Sequence, residues 1–191
     1  MNRWPDVDAV LVGASAGGVD ALLKLCAALP ADFPVPLLLV LHRPASGGSL
    51  APLLASRCAL PLSDAWDKQP LRAGEVLLAP ADYHMLVAPG PCIALSRDAP
   101  LNWSRPAIDP LFESATDVFG ARLLGVILTG ANTDGALGAR ALRQAGGELW
   151  VQNPKQAIVP TMPQAALDLA GADLAPGIEE IGHLLGNGKW R

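Results

Sequence analysis

The sequence predicts an α/β protein with a doubly wound, mostly parallel sheet, helices on both faces and a β-hairpin at one edge. Short apolar runs of strand length alternate along the chain with stretches of helical spacing, which is typical of βα units. With 191 residues, of which 51% are hydrophobic and 17% charged, the chain fits one domain with much of its length buried. We expect a single domain over residues 1–191, with its core at about residues 8–186.

The first two strands are continuous apolar runs, Ala9–Ala14 and Leu37–Leu41. Strands that are buried on both faces of a parallel sheet have this composition. Helical spacing follows each run, over residues 19–29 and 49–58, so each strand precedes a helix. Over residues 75–96 the apolar pieces are short and interrupted by prolines and glycines, which predicts the edge hairpin.

The second half of the chain returns to the alternation of helix and strand and ends in two short helices. No internal repeat, and no linker rich in Gly, Ser or Pro, divides the sequence. The predicted elements are a helix over residues 109–122, a strand over 123–129, a helix over 135–145, a strand over 148–152, and helices over 164–169 and 178–185.

Composition excludes several classes of protein. No apolar run approaches the ~20 residues that cross a bilayer, and the 14 basic and 18 acidic residues are scattered without a basic run for phosphates. We therefore expect no membrane insertion and no nucleic-acid partner. Residues 1–7 lack the order of a signal peptide, and the three cysteines lie far apart without a CxxC pair. A cytoplasmic location is expected.

The first chemical feature is the turn Gly13-Ala14-Ser15-Ala16-Gly17-Gly18, which joins the first strand to its helix. Backbone N–H groups at such a helix start point at nearby anions. Three interpretations of the turn stay open at this point. Ser15 caps the turn, the turn binds phosphate, or Ser15 is a nucleophile whose developing oxyanion is held by those N–H groups.

His42 and Asp134 also follow predicted strands, so they are expected at the same edge of the sheet as Ser15. Taken alone, Asp134 could cap the next helix, and His84 competes with His42 as the functional histidine. A serine nucleophile, however, needs a base, and imidazole needs a carboxylate to fix its tautomer. The convergence of these residue types favours a serine hydrolase with Ser15 as nucleophile, His42 as base and Asp134 as its orienting group.

Other chemistries fit the sequence less well. The three histidines are scattered without zinc-ligand spacing, and no acidic residue stands about 20 positions beyond the turn, as dinucleotide binding prefers. We therefore set aside a metal site and a nicotinamide dinucleotide site. In the segment 104–112, Asp109 is expected to be the N-cap of the following helix, and Arg105 is a candidate to face the site.

Several motifs occur in an order that resembles the catalytic domain of the chemotaxis protein-glutamate methylesterases, the CheB type. The likeness runs from about residue 10 to residue 185, and the serine, histidine and aspartate of that family match Ser15, His42 and Asp134. The motifs are GASAGG at 13–18, a strand ending in His42, LAPADYHM at 78–85, SRPAIDPLF at 104–112, LTGANTDGALG at 128–138 and MP at 162–163.

The resemblance implies a cofactor-free hydrolase that removes methyl groups from γ-glutamyl methyl esters on the cytoplasmic helices of chemoreceptors during adaptation. Methanol would be released, and deamidation of glutamine would often accompany it. Backbone N–H groups near Ala16, Gly17 and Ala131 would hold the oxyanion. The implied partner is the methylated cytoplasmic domain of a chemoreceptor. Because we expect no receiver domain in this chain, a separate receiver or signalling protein is the second expected partner.

Three positions depart from the usual family sequence, where Met and Gly are common in place of Ala131 and Asn132, and Met in place of Arg43. A backbone donor survives a side-chain change, so the Ala131 N–H remains an expected oxyanion donor. Arg43 is expected to offer a positive contact to an acidic receptor surface. These departures bear on substrate choice and leave two alternatives: a related hydrolase of another ester or amide, and a non-catalytic domain that binds anions or nucleotides.

Overall fold

Continuous apolar runs form the centre of the main sheet, as the sequence predicts. The computed structural model describes residues 6–188. Most of residues 1–7, the segment considered above as a signal peptide, therefore lies outside the described residues. The elements are β1 (Ala9–Ala14), α1 (Gly18–Ala28), β2 (Leu37–Leu41), α2 (Ala51–Ala55), β3 (Leu62–Asp64), β4 (Val76–Leu78), β5 (His84–Ala88), β6 (Cys92–Ser96), α3 (Ile108–Phe119), β7 (Leu123–Ile127), α4 (Ala136–Gln144), β8 (Glu148–Val151), α5 (Thr161–Ala170) and α6 (Ile178–Asn187).

The main sheet has six strands in the order β3-β4-β2-β1-β7-β8, and all of its neighbouring pairs are parallel. The central strand β1 pairs with β2 on one side and with β7 on the other. The chain winds outward in opposite directions from this point. In doubly wound sheets such a switch point is where ligands bind, beyond the carboxyl ends of the strands.

Helices cover both faces of the sheet, and the alternation of side chains along β1 divides the core in two. Val10 and Val12 face one hydrophobic cluster, which includes residues of α1 and α6. Ala9 and Leu11 face the other, which includes residues of α3, α4 and α5. Because successive side chains of a strand point to opposite faces, a strand covered on both sides must be apolar throughout. The doubly wound prediction is confirmed.

The region 75–96 differs in detail from the prediction. The hairpin is present, but β5 and β6 form a two-stranded antiparallel sheet of their own, and β5 packs against α3. The piece Val76–Leu78 is instead an internal parallel strand of the main sheet. Strand β3 was not predicted because its three residues are half-exposed or exposed and show no apolar run.

Helix α2 is shorter than its predicted span of 49–58 and covers Ala51–Ala55. Within residues 6–188, no helix combines the length and apolar character that a membrane span requires.

Candidate active site

Three loops at the carboxyl edge of the main sheet carry the residues that the sequence selected. Ser15 directly follows β1, His42 directly follows β2, and Asp134 lies in the loop after β7. Backbone hydrogen bonds join these loops, since His42 N donates to Ala14 O at 3.1 Å and Ser15 N donates to Thr129 O at 2.9 Å. The fold therefore fixes the backbone of the serine and histidine side by side.

The Ser15 turn requires glycine. Gly18 N donates to Ser15 O at 2.7 Å, and Gly17 has φ 79° and ψ −2°, in the left-handed region that side chains disfavour. A Cβ on Gly17 would lie 2.8 Å from Ile158 Cβ, and one on Gly18 would lie 2.6 Å from Leu41 Cδ1. No side chain caps α1, so the interpretation of Ser15 as a helix cap is wrong.

His42 and Asp134 form a short, buried hydrogen bond. His42 Nε2 lies 2.6 Å from Asp134 Oδ2, and the two side chains are 8% and 0% exposed. Burial alone would raise the pKa of Asp134, but hydrogen bonds from His42 and from backbone N–H groups outweigh it and lower the pKa. Because an ionised carboxylate only accepts hydrogen bonds, Nε2 carries the proton and Nδ1 is left to act as the base.

Asp134 also caps a helix, but not the one that follows it. Its Oδ2 accepts the N–H of Ile108 at 2.6 Å and its Oδ1 accepts that of Asp109 at 3.2 Å, which are the first N–H groups of α3. No side chain caps α4. A carboxylate at a helix N-terminus is favoured by the helix dipole and by the free N–H groups there. The start of α3 therefore holds Asp134 against His42.

The prediction that Asp109 is the N-cap of α3 is wrong. Ala107 holds that position without a side-chain hydrogen bond, and Asp109 is buried inside the first turn, where its Oδ1 accepts the N–H of Gly138 at 2.8 Å. Burial raises the pKa of Asp109 to about 7, opposed by the Gly138 N–H and reinforced by the negative charge of Asp134. The carboxyl group of Asp134 thus links α3 to the loop after β7, and the carboxyl group of Asp109 links α3 to α4.

Ser15 and His42 are not joined by a hydrogen bond. Within residues 6–188, Ser15 Oγ makes no hydrogen bond, and His42 Nδ1 lies 3.5 Å from Asn132 Nδ2. Catalytic hydrogen bonds of this kind often tighten only when substrate is bound. The structure therefore preorganises the base and its carboxylate and leaves the serine hydroxyl free to rotate.

Backbone donors surround Ser15. Over the described part of the chain, the N–H groups of Ala16, Gly17 and Ala131 make no hydrogen bond, and both alanines are exposed. Thr129 holds their loops together, because its hydroxyl donates to Ala16 O at 2.8 Å and accepts the N–H of Val159 at 2.8 Å. Free, fixed N–H groups beside a serine are what an oxyanion hole needs.

The two arginines singled out by the sequence are engaged elsewhere. The side chain of Arg43 is 6% exposed and donates to Asp64 Oδ1 at 3.2 Å and to Ala79 O at 2.8 Å. The expectation that Arg43 contacts an acidic receptor surface is therefore wrong. Arg105 donates to Asp82 through Nε at 3.1 Å and Nη2 at 2.5 Å. Arg105 also donates to the carbonyl oxygens of Arg97 and Asp98. It thus braces its own loop, and within residues 6–188 its side chain forms no hydrogen bond with Ser15, His42 or Asp134.

His84 is a structural residue. It is buried, its Nδ1 accepts the N–H of Ala107 at 3.2 Å, and its Nε2 lies 3.1 Å from Ala99 O. Both ring nitrogens are used by backbone groups, so His84 no longer competes with His42. Across residues 6–188, no group of three or more His, Cys, Asp or Glu side chains could hold a metal ion.

Two asparagines contact the triad residues; the sequence singled out Asn132 only for its bearing on substrate choice, and it did not select Asn102. Asn102 Nδ2 lies 3.5 Å from Asp134 Oδ1, and Asn132 Nδ2 contacts both His42 Nδ1 and Asn102 O, the latter at 3.4 Å. Asn132 Oδ1 also accepts the N–H of Asp134 at 3.2 Å. The position of Asn132 between Gly130 and Asp134 was the available signal for it, while nothing local marks Asn102.

Comparisons with known proteins identify the family and the fold of the chain. A model of the CheB methylesterase family matches residues 10–185. The crystal structure of the CheB methylesterase catalytic domain of Thermotoga maritima is similar, with a TM-score of 0.89 and 29% sequence identity over 95% of this chain and 98% of that one.

Two relatives differ in length. A protein-glutamate methylesterase/protein-glutamine glutaminase of Symbiobacterium thermophilum is 43% identical over 164 residues, which cover 85% of this chain and 45% of that protein. A provisionally named protein of the same kind from Leptospira interrogans is 36% identical over 178 residues, covering 93% of this chain and 92% of that protein. The chain thus spans less than half of the first relative and most of the second.

Proposed function

The chain belongs to the CheB methylesterase family, and from this premise we propose that it hydrolyses γ-glutamyl methyl esters on a methylated chemoreceptor in chemotaxis adaptation. The observation that carries the proposal is the buried 2.6 Å pair of His42 and Asp134 at the sheet edge where Ser15 follows β1. Because similar proteins are also named as protein-glutamine glutaminases, the proposal extends to deamidation of glutamine. We further propose that residues 1–191 form one catalytic domain that acts in the cytoplasm.

In the first half of the reaction, Ser15 Oγ attacks the ester carbonyl carbon and passes its proton to His42 Nδ1. Asp134 stabilises the imidazolium that forms. The N–H groups of Ala16, Gly17 and Ala131 are placed to hold the oxyanion of the tetrahedral intermediate. When that intermediate collapses, the C–O bond to the methoxy group breaks, and the leaving oxygen takes the proton from Nδ1 and departs as methanol.

In the second half, water attacks the acyl group on Ser15 and gives a proton to His42 Nδ1. Collapse returns that proton to Ser15 Oγ and frees the glutamate. The same steps with a glutamine side chain release ammonia. Every proton passes through Nδ1, the ring nitrogen that Asp134 leaves unused.

The alternative of a non-catalytic anion or nucleotide binder is less well supported. The free N–H groups near Ser15 suit an anion, but the buried pair of His42 and Asp134 serves no purpose in anion binding. The pKa of Asp134 is lowered, so a negative charge stands beside the turn and opposes a bound anion. Arg43, the cation next to His42 in the sequence, is already paired with Asp64.

The proposed partners are the methylated cytoplasmic domain of a chemoreceptor and a separate receiver or signalling protein. Methanol release from methylated receptor, with the full chain and its Ser15→Ala variant, tests the function. Loss of a triad nucleophile is expected to lower kcat by about 10⁴-fold or more. Ser56→Ala is the control, because the Ser56 hydroxyl is exposed and bonds only to Leu53 O.

Two outcomes would overturn this proposal. Undiminished methanol release by Ser15→Ala would exclude Ser15 as the nucleophile. Hydrolysis of small methyl esters by the unmodified chain, without methanol release from receptor, would favour a related hydrolase with another substrate.

A further inference from the structure

Trp103 is a large apolar side chain held in solvent. It is 102% exposed and lies at the tip of a tight turn, in which Leu101 N donates to Ser104 O at 3.1 Å and Ser104 N donates to Leu101 O at 2.8 Å. The two central residues of this turn, Asn102 and Trp103, have φ values of 48° and 64°. Core packing therefore does not account for the tryptophan.

The backbone of the turn does not account for it either. A two-residue turn with both central residues in the left-handed region favours Asn at the first position and Gly at the second. Asn102 follows this preference. A tryptophan at the second position carries a Cβ where backbone sterics disfavour one. Strain of this kind in a non-glycine residue is a reason to look for a role.

The turn is anchored to the catalytic residues. Asn102 contacts Asp134 Oδ1 through its side chain at 3.5 Å, and its carbonyl oxygen accepts from Asn132 Nδ2 at 3.4 Å. Directly after the turn, Arg105 bonds to Asp82 and to the carbonyl oxygens of Arg97 and Asp98, the last two at 3.0 Å and 2.9 Å. Trp103 is thus adjacent in sequence to a residue that touches the triad, on a braced loop.

A second exposed apolar side chain lies against the Ser15 turn. Ile158 is 64% exposed and packs over this turn, since a Cβ on Gly17 would lie 2.8 Å from Ile158 Cβ. Trp103 and Ile158 come from loops about 55 positions apart in the chain. Trp103 follows Asn102, which contacts Asp134, while Ile158 borders the turn of the half-buried Ser15.

We propose that Trp103 is a specificity-determining contact for the protein substrate, packing on the receptor helix beside the esterified glutamate; this rests on the function proposed above. Ser15 is half-buried, so a helix that delivers its side-chain ester to Ser15 must lie across the rim of the site. Side chains three or four positions away lie on the same helix face, about 5 Å along the axis. Tryptophan is enriched among the residues that dominate protein interfaces. A small ester carries no such neighbouring side chains, so Trp103 would stay exposed to water when a small ester is bound.

The experiment measures kcat and KM of the full chain and of Trp103→Ala on two substrates, methylated receptor and an N-acetylated glutamate γ-methyl ester. Truncation of an anchoring tryptophan is expected to raise KM for the receptor about tenfold to thirtyfold with little change in kcat. The ratio of receptor to small-ester kcat/KM should fall by a similar factor. Trp103→Phe, which keeps an aromatic ring, should restore most of that ratio.

Leu169→Ala is the matched control, because Leu169 is an exposed apolar residue near the end of α5 and away from the catalytic loops. Three results would overturn the inference. First, the ratio of receptor to small-ester kcat/KM could be the same in Trp103→Ala as in the unmodified chain. Second, the activity of the variant could fall equally on both substrates. Third, the variant could be a monomer where the unmodified chain is a dimer, which would assign Trp103 to contacts between copies. If the unmodified chain releases no methanol from receptor while hydrolysing the small ester, the proposed function and this inference fail together.

Discussion

Replacing Asp134 by asparagine and by alanine separates its two contacts, one with His42 and one with the start of α3. In Asp134→Ala the first two N–H groups of α3, from Ile108 and Asp109, lose their acceptors. Each buried unpaired group costs about 1–3 kcal/mol, and a lost cap costs about 0.5–2 kcal/mol. The cost of the unpaired N–H groups and the cost of the lost cap describe partly the same effect, so they do not add fully. We therefore expect the free energy of unfolding to fall by about 3 kcal/mol.

Asp134→Asn keeps one acceptor oxygen for the helix, so its expected loss of stability is smaller, about 1–2 kcal/mol. At this chain length each kcal/mol shifts Tm by about 2–4 °C, so alanine should lower Tm by about 6–12 °C and asparagine by about half as much. Both variants should lose about 10⁴-fold in kcat. The alanine removes the acceptor that orients His42 Nε2, and the asparagine amide, if it donates to Nε2, fixes the wrong tautomer.

The assay combines thermal denaturation at pH 7 with methanol release from methylated receptor. Equal Tm values for the two variants would refute the capping role of Asp134. A kcat of Asp134→Asn within tenfold of the unmodified chain would refute its role in fixing the His42 tautomer. The two results are independent, since one concerns the backbone of α3 and the other the imidazole.

Two further predictions concern the residues around the triad. Because burial raises the pKa of Asp109 to about 7, its contribution to stability is present at acid pH and is lost as the pH rises from about 4 through about 7. Asp109→Asn has no carboxyl group to titrate, so between pH 5 and pH 8 its free energy of unfolding in urea should rise relative to that of the unmodified chain. A difference that stays constant with pH would contradict the raised pKa of Asp109. Gly17→Ala and Gly171→Ala both place a Cβ at positive φ, but only the first meets a neighbour, Ile158, so kcat should fall about tenfold or more for Gly17→Ala alone. Equal kcat values for the two alanine variants would show that the close contact at Gly17 is unimportant.

The fold could be predicted from local sequence because its central strands are continuous apolar runs. Both β1 and β2 occur at their predicted bounds, and the edge to which they deliver Ser15 and His42 follows from parallel topology. Strand β3 could not be found in this way, because a three-residue edge strand depends on pairing with β4 rather than on its own pattern.

The partners of individual side chains could not be predicted. Asp109 was expected to cap its own helix, yet it bonds to the N–H of Gly138 in α4, 29 positions away along the chain. Arg43 follows His42 directly and was expected at the surface, yet it turns inward to Asp64. Such contacts between distant segments depend on how helices and loops pack, which no local pattern records.

The most direct test of the catalytic role of Ser15 is the site and rate of its reaction with an organophosphonate directed at activated serines. We expect a single covalent adduct that peptide mass spectrometry places on Ser15 and that is absent from Ser15→Ala. Adduct formation should slow by about 10³-fold or more in His42→Ala, because the hydroxyl is then without its base. An adduct on another serine such as Ser56, or an unchanged rate in His42→Ala, would contradict the triad of Ser15, His42 and Asp134.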